Sequence, residues 1–406
     1  MESFHLRFTQ SSVRYKIFGC RQVTGLVNLW CSLKLRLMVQ DSNNIQTAEI
    51  VLACSELDET LAFFVEKLGF QIDSIFPADA PAVAIVSGYG IRLRLDRHAT
   101  SKPATLRLYC STPTTVAEGN LRLQAPNGTE IELEAAENEL QLPPVVQSLV
   151  LSRLDSSTAW GVGRAGMRYR DLIPDRQGGR FIASHIHIPT GGLVPDYVHY
   201  HNIRFQLIFC CRGWAKLVYE DQGGEFILKA GDCVLQPPQI RHRVLECSDN
   251  MEVVELGCPA EHETHTDHEM NLPTATFDEQ RLFKGQRFVR HQAETASWEN
   301  WRIDGFECRD SGIGVATSGL AGVRVVRPHL EPTAGPCSHV AELVFFFVLK
   351  GSVTLELAGR GIEQFNRGDS VVLPSNFSYT LVESTQDLEL LEVTLPDIVE
   401  THLPGA

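Results

Sequence analysis

Short runs in which apolar and polar residues alternate dominate the chain, and one early stretch switches to a helical period. Glu49-Ile-Val-Leu-Ala-Cys54 is a short apolar strand. Leu57, Leu61, Phe64 and Leu68 then recur three and four residues apart, and Gly69 stops the helix they predict. Ser55 stands as its N-cap, with Glu56, Asp58 and Glu59 in the first turn, where the helix dipole favours carboxylates. The runs 70–76, 82–86 and 91–95 alternate as strands, which gives a β-α-β-β-β order. Leu106–Tyr109 and Leu121–Gln124 continue it, and Ala125-Pro-Asn-Gly128 makes a hairpin turn into Thr129–Leu133.

Residues 138–165 carry Leu142-Pro143-Pro144, several serines and few strong signals, and read as a linker with one strand at most. Strands resume at Arg180–Ile188, and Gly191-Gly192 turns the chain into Pro195–Gln206. Side chains two apart on a strand share a face, so His199 and His201 point into one pocket. Gln206 lies at an odd offset and would face away in an unbroken strand; it joins them only if Asn202-Ile-Arg204 turns the chain. Further strands follow at 205–211, 214–219 and 225–228. Gly231-Asp232 is a turn, 233–236 a strand, and Pro237-Pro238 a rigid corner that presents His242. Tyr200 alternates to the outside. His185 and His187 have the same i, i+2 spacing without the downstream pattern and read as strand histidines, whereas His262, His265 and His268, one every three, suit an exposed turn or short helix.

At 406 residues the chain is too long for one core, and two or three domains are expected. Its 43% hydrophobic and 21% charged residues are those of a soluble globular protein. A formal charge of -14 without a sustained Lys/Arg stripe excludes a nucleic-acid partner, and no apolar run has the length of a membrane helix. The eleven cysteines contain no CxxC pair and read as reduced thiols packed as small core residues, which implies a reducing, cytoplasmic setting. Up to Met38 the chain holds six Lys/Arg and one acid, Glu2. The segment 1–45 is therefore an extension: a mitochondrial transit peptide, a stretch ahead of a natural start at Met38, or a disordered tail.

The stretches "SELDETLAFFVEKLGF" at 55–70 and "APNGTEIELE" at 125–134 resemble the glyoxalase/bleomycin-resistance family, the vicinal-oxygen-chelate (VOC) proteins. The resemblance implies a small α+β domain of βαβββ modules over 46–137. The family's metal ligands come from its first and last strands, positions held here by Glu49 and Glu132. Only Cys110–Asn120 is left to hold the second module's helix, so a structural or covering role is expected rather than an independent site.

His199-x-His201, Gln206 and Gly213, followed by Gly231-Asp232, Pro237 and His242, resemble the two motifs of the cupins, jelly-roll barrels with a metal at the mouth. That resemblance implies His199, His201, Gln206 and His242 as ligands of Fe2+, with Zn2+, Ni2+ and Cu2+ as alternatives. Gln206 replaces the usual Glu, and its neutral amide oxygen leaves the metal more positive. The pattern returns at an offset of 137 to 138 residues: Cys337, His339, Val344, Gly351, Gly368-Asp369, Pro374 and Tyr379. This second copy keeps one ligand, His339, and is expected to pack on the first barrel or to form a homodimer. The expected architecture is mainly β: barrel 1 over 166–275, a connector over 276–310 lying on a barrel surface with Trp298 and Trp301, and barrel 2 over 311–400.

The implied activity is that of a metal-dependent enzyme, a dioxygenase acting on a small oxygenated organic acid or phenol. The alternatives are a non-redox lyase or isomerase acting on a sugar-like acid, and a non-catalytic bicupin that binds a small ligand. Arg204, Arg241 and Arg243 stand near the pocket as candidates to hold a substrate carboxylate, and each also reads as a surface charge.

Overall fold

Residues 46–117, 119–136, 140–155, 158–163, 166–330 and 335–402 are described in the computed structural model; the extension read at 1–45 lies outside them. The chain divides into two compact units, residues 1–138 and 139–406. It is mainly β, and among the described residues no helix is long and apolar enough to cross a membrane.

In the first unit, β1 (Ile50–Ala53), α1 (Leu57–Ala62), β2 (Gln71–Phe76), β3 (Val83–Gly88) and β4 (Ile91–Asp96) follow the β-α-β-β-β order. The sheet runs β1-β4-β3-β2, with β1 parallel to β4. The helix continues into a π turn, Phe63–Lys67, and buries Leu57, Phe64 and Leu68 against Leu52, Val86, Leu93 and Leu95. Ser55 does not cap it: Glu56 occupies the N-cap position, and its side chain makes no capping bond. The rest of the unit is β5 (Thr105–Cys110), β6 (Arg122–Gln124) and β7 (Glu130–Ala135) in the order β5-β7-β6. Only the single turn Pro113–Val116 is helical between β5 and β6. Glu49 lies between Arg92 and Arg94 at 3.5 and 3.7 Å, and Glu132 pairs with Arg107 and Arg122 at 2.8 and 3.1 Å. Both carboxylates are thus engaged by guanidinium groups.

The second unit holds two barrels. The first is built from β9 (Arg168–Asp171), β10 (Ile182–Ile188), β11 (His199–Asn202), β12 (Phe205–Arg212), β13 (Trp214–Tyr219), β14 (Phe226–Lys229), β15 (Cys233–Leu235), β16 (His242–Cys247), β17 (Met251–Cys258) and β18 (Glu263–Thr266), after β8 (Val150–Ser152), which pairs elsewhere. One sheet runs β15-β12-β17-β10-β9 and the other β14-β13-β16-β11-β18. Strands from β10 to β17 cross between the two sheets along the chain, which is the jelly-roll arrangement. After β19 (Val289–His291) and β20 (Phe306–Asp310), the second barrel repeats it with β21 (Gly322–Pro328), β22 (Ser338–Val340), β23 (Leu343–Lys350), β24 (Ser352–Leu357), β25 (Gly361–Asn366), β26 (Ser370–Val372), β27 (Tyr379–Ser384) and β28 (Glu389–Leu395). Its sheets run β20-β21-β28-β23-β26 and β25-β24-β27.

The barrels share one core. Phe205, Leu207 and Phe209 on β12 and Val254 and Leu256 on β17 meet Leu343, Phe345 and Phe347 on β23 and Leu391 and Val393 on β28. The alternate residues turn inward: Gln206, Ile208 and Cys210 into the first barrel, Val344, Phe346 and Val348 into the second. A strand buried on both faces reads as a continuous apolar run, as both β12 and β23 do.

The segments read as linker and connector tie this seam. β8, before barrel 1, pairs with β26 of barrel 2; β19, before barrel 2, pairs with β15 of barrel 1. The aspartate of each Gly-Asp turn receives the incoming segment. Asp369 Oδ1 accepts from Leu154 N at 2.7 Å, and Asp232 Oδ1 from Ala293 N at 2.8 Å. Arg170 and Arg309 complete the exchange, each donating to the turn carbonyl of the other barrel, at Gly368 and Gly231. Trp301 does not lie on a surface; it is buried inside the second barrel.

His185 faces this seam, packed on Phe347. Arg170 points an N–H at its Nδ1 (3.5 Å), and its Nε2 faces Glu252 (3.3 Å), a pattern that suits the neutral ring favoured by burial. The hydrogen bond from His185, with Arg367 and Arg212 beside it, holds the Glu252 carboxyl at about 2, against the opposing effect of its burial.

Two outcomes are expected. Phe345→Ala, in the middle of the shared core, lowers unfolding free energy by about 3–5 kcal/mol in a denaturant titration. A carboxyl depressed in the folded state stabilises above its usual 4.5, and that contribution is lost as pH falls from 4.5 to about 2. Glu252→Gln flattens that part of the stability–pH curve relative to the unaltered protein.

Candidate metal centre

Three imidazoles converge inside the first barrel. His199 and His201 project from one face of β11, and His242, the first residue of β16, is the direct strand partner of His199. Ring centroids lie 4.3 Å apart for His199–His242, 5.2 Å for His199–His201 and 5.3 Å for His201–His242. One nitrogen from each ring falls within 4.8 Å of the others.

Each ring is oriented through Nδ1. His199 Nδ1 meets the Tyr197 carbonyl at 2.9 Å, and His242 Nδ1 meets the Ile240 carbonyl at 3.0 Å. A carbonyl only accepts, so these nitrogens carry the hydrogen and the lone pair sits on Nε2, the tautomer that binds a metal. His201 Nδ1 has the Thr264 hydroxyl at 2.9 Å, which orients the ring and can accept the same hydrogen.

Gln206 joins them because β11 ends at Asn202 and β12 starts at Phe205, so the chain turns across Ile203-Arg204. Its side chain lines the same cavity as the three histidines. Its Nε2 donates to Glu255 Oε1 at 2.7 Å, which fixes the amide orientation. Its Oε1 is buried and has no hydrogen-bond partner. An unpaired buried acceptor costs about 1–3 kcal/mol, and a cation offsets that cost. Three convergent imidazoles, two of them held in the metal-binding tautomer, and an orphaned amide oxygen therefore fit a divalent transition metal.

The cavity measures about 540 Å³, within the range of small-molecule sites. Its walls are largely aliphatic, with Ile182, Ile186, Ile208, Leu217, Val244 and Val253 among them; Ser184, Glu255, His262, Thr264 and the bonded pair Tyr219–Gln236 add polar groups. Lysine and arginine are absent from the described residues that line it.

The three arginines named from the sequence stand elsewhere. Arg204 is bound to Glu342 of the second barrel at 3.0 and 3.1 Å. Arg241 donates to Asp267 at 3.2 Å and lies over the Tyr200 ring, on the outer face. Arg243 alternates outward between His242 and Val244, which both face the cavity. None of the three is placed to hold a carboxylate inside the barrel.

His262 and Glu255 are the additions. The polar run after β17 is neither an exposed turn nor a helix. Its residues 263–266 form β18 against β11, and His262 lines the cavity with its ring 5.5 Å from that of His201. Glu255 shares the inward face of β17 with Met251 and Val253. Its alternation was visible in the sequence, but which face turns inward was not.

The second barrel's counterpart is closed. His339 has the Tyr379 hydroxyl at 2.7 Å on Nε2 and the Thr401 hydroxyl at 2.9 Å on Nδ1. Burial, reinforced by Arg302, pushes the His339 ring down to about 4, so it sits neutral.

No protein-family model matches the chain, and no curated protein matches it. Solved structures do. Salicylate 1,2-dioxygenase from Pseudoaminobacter salicylatoxidans, as its gentisate adduct, aligns with a TM-score of 0.47 and 15% identity over 65% of this chain and 87% of that one. A variant of oxalate decarboxylase from Bacillus subtilis aligns with a TM-score of 0.45 and 11% identity over 66% and 82%. Likenesses at this level leave the assignment to the residues of the barrel itself.

Removing the outer support of one ligand tests the geometry. Thr264→Val keeps the strand and deletes the His201 Nδ1 partner; metal affinity, read by competition with a chromogenic chelator, falls about 10- to 100-fold.

Proposed function

We propose that the chain is a metal-dependent enzyme of the cupin type with its active site in the first barrel. Its substrate is a small, largely apolar, oxygenated organic molecule, a phenol ahead of an organic acid. The observation that carries the reading is the meeting of three convergent imidazoles, two of them tautomer-fixed by backbone carbonyls, with a largely apolar cavity free of lysine and arginine among its described lining residues. A divalent metal held by His199, His201, His242 and Gln206, Fe2+ first among the candidates, supplies Lewis acidity and, as iron, dioxygen activation. The aliphatic walls hold a ring and exclude water. Thr264, Tyr219 and Gln236 are already engaged within the protein, and Ser184, His262 and Glu255 add a few directed polar contacts, which favours a ligand with few polar groups over a sugar-like acid with many hydroxyls. This weighs against the lyase or isomerase alternative.

The first unit is proposed as a glyoxalase-like domain with a structural or covering role. Its β1-β4-β3-β2 sheet supports the fold, and the arginine pairs at Glu49 and Glu132 support the absence of a catalytic metal there.

The test is metal content by plasma emission spectrometry. The unaltered protein is expected to bind close to one divalent ion per chain and His199→Ala far less; equal content in the two sinks the reading. Oxygen uptake with Fe2+ and a panel of phenols and sugar acids then separates the chemistries. Uptake with a phenol supports the dioxygenase, whereas turnover of a sugar acid without uptake favours the alternative.

A further inference from the structure

The two barrels carry the same carboxylate in different company. Glu255 lies opposite Ile208 in the β12–β17 pairing, and Glu392 lies opposite Phe346 in the β23–β28 pairing, at matching register. Both point into their barrel.

In the second barrel that position is filled from within the chain. The Trp301 indole is buried in the interior beside Phe306 and Phe346, and its Nε1–H donates to Glu392 Oε2 at 3.0 Å. Arg302 forms an ion pair with the same carboxylate. A void of only about 10 Å³ lies nearby, among Phe346, Val348 and Leu390. The second barrel thus holds an aromatic ring by hydrogen-bonding the ring's own N–H to a carboxylate on this strand.

In the first barrel the matching carboxylate meets no indole among the described residues. Glu255 receives one hydrogen bond from Gln206, and about 540 Å³ of aliphatic cavity opens in front of it. Among the described residues that line this space, Glu255 is the sole Asp or Glu, and no guanidinium or ammonium group accompanies it. Acceptor capacity at the Glu255 wall favours a ligand that brings a donor to it, and disfavours one that brings a second carboxylate to that wall.

We infer that Glu255 anchors the substrate, and that the cavity takes aromatic molecules carrying an O–H or N–H donor, of phenol or indole type, in preference to aromatic carboxylates. The inference rests on reading this cavity as the substrate pocket. In that pose the ring lies against Ile208 and Val253 and its donor bonds Glu255, as the Trp301 indole bonds Glu392. Gln206, bonded to this anchor, lines the same cavity as the three imidazoles, so the anchored ring shares that space with the metal ligands.

The measurement is titration calorimetry on the full chain with four probes: indole, 1-methylindole, 2-naphthol and 2-naphthoate. Indole is expected to bind about tenfold or more tighter than 1-methylindole, and 2-naphthol similarly tighter than 2-naphthoate, the range a hydrogen bond to a charged group spans. Glu255→Gln is expected to erase most of the advantage of 2-naphthol over 2-naphthoate. Equal binding within either pair by the unaltered protein overturns the inference, as does an unchanged preference in Glu255→Gln. Should that variant melt early, the ratios measured on the unaltered protein decide alone. Binding preference and metal content are separate readouts, so failure of the donor preference leaves the metal reading standing, and loss of the metal reading leaves the preference to be judged by itself.

Discussion

The seam between the barrels fixes everything else in the second unit. Its central strands, β12 and β23, are buried on both faces, one face in the shared core and one inside their own barrel. Because strand side chains alternate, seating Phe205, Leu207 and Phe209 in the seam commits Gln206 and Ile208 to the cavity. A slip of one residue would reverse both sets and bring a glutamine into an apolar core. The same logic on β17 sends Val254 and Leu256 outward and Glu255 inward. The position of the polar groups in the site is thus a by-product of apolar packing on the far side of the sheet.

Much of the candidate centre was legible because its signals are local. The His199-x-His201 spacing, the chain turn before Gln206 and the proline corner before His242 lie within a few residues of the groups they position. The second copy was legible from its constant offset. Contacts that join distant residues were not. Arg204 looked available because its partner, Glu342, stands 138 positions away. Residues 138–165 and 276–310 looked like connectors because β8 and β19 are only three residues each, too short to show a pattern, and their pairing partners lie in the other barrel. The threefold spacing of His262, His265 and His268 suggested a turn, yet the pairing of β18 with β11 straightens the chain and turns His262 inward.

The contrast between the barrels shows how one scaffold is opened or shut. Small changes at matching positions suffice: Ile208 against Phe346, and His242 against Tyr379, whose hydroxyl occupies His339. Trp301 and Arg302 then take up interior space and neutralise the Glu392 carboxylate. An interior filled in this way is a conventional hydrophobic core, and it carries its share of the seam without any ligand.

The exchanged strands also make the two barrels inseparable. Either barrel cut from the chain would leave β15 or β26 without its pairing partner, an open edge where a continuous sheet now runs. The duties that bind the copies are distinct from those of the metal centre: the second copy presents the outer sheet face of β23 and β28 and lends β19, and neither duty calls on Cys337, Val344 or Tyr379.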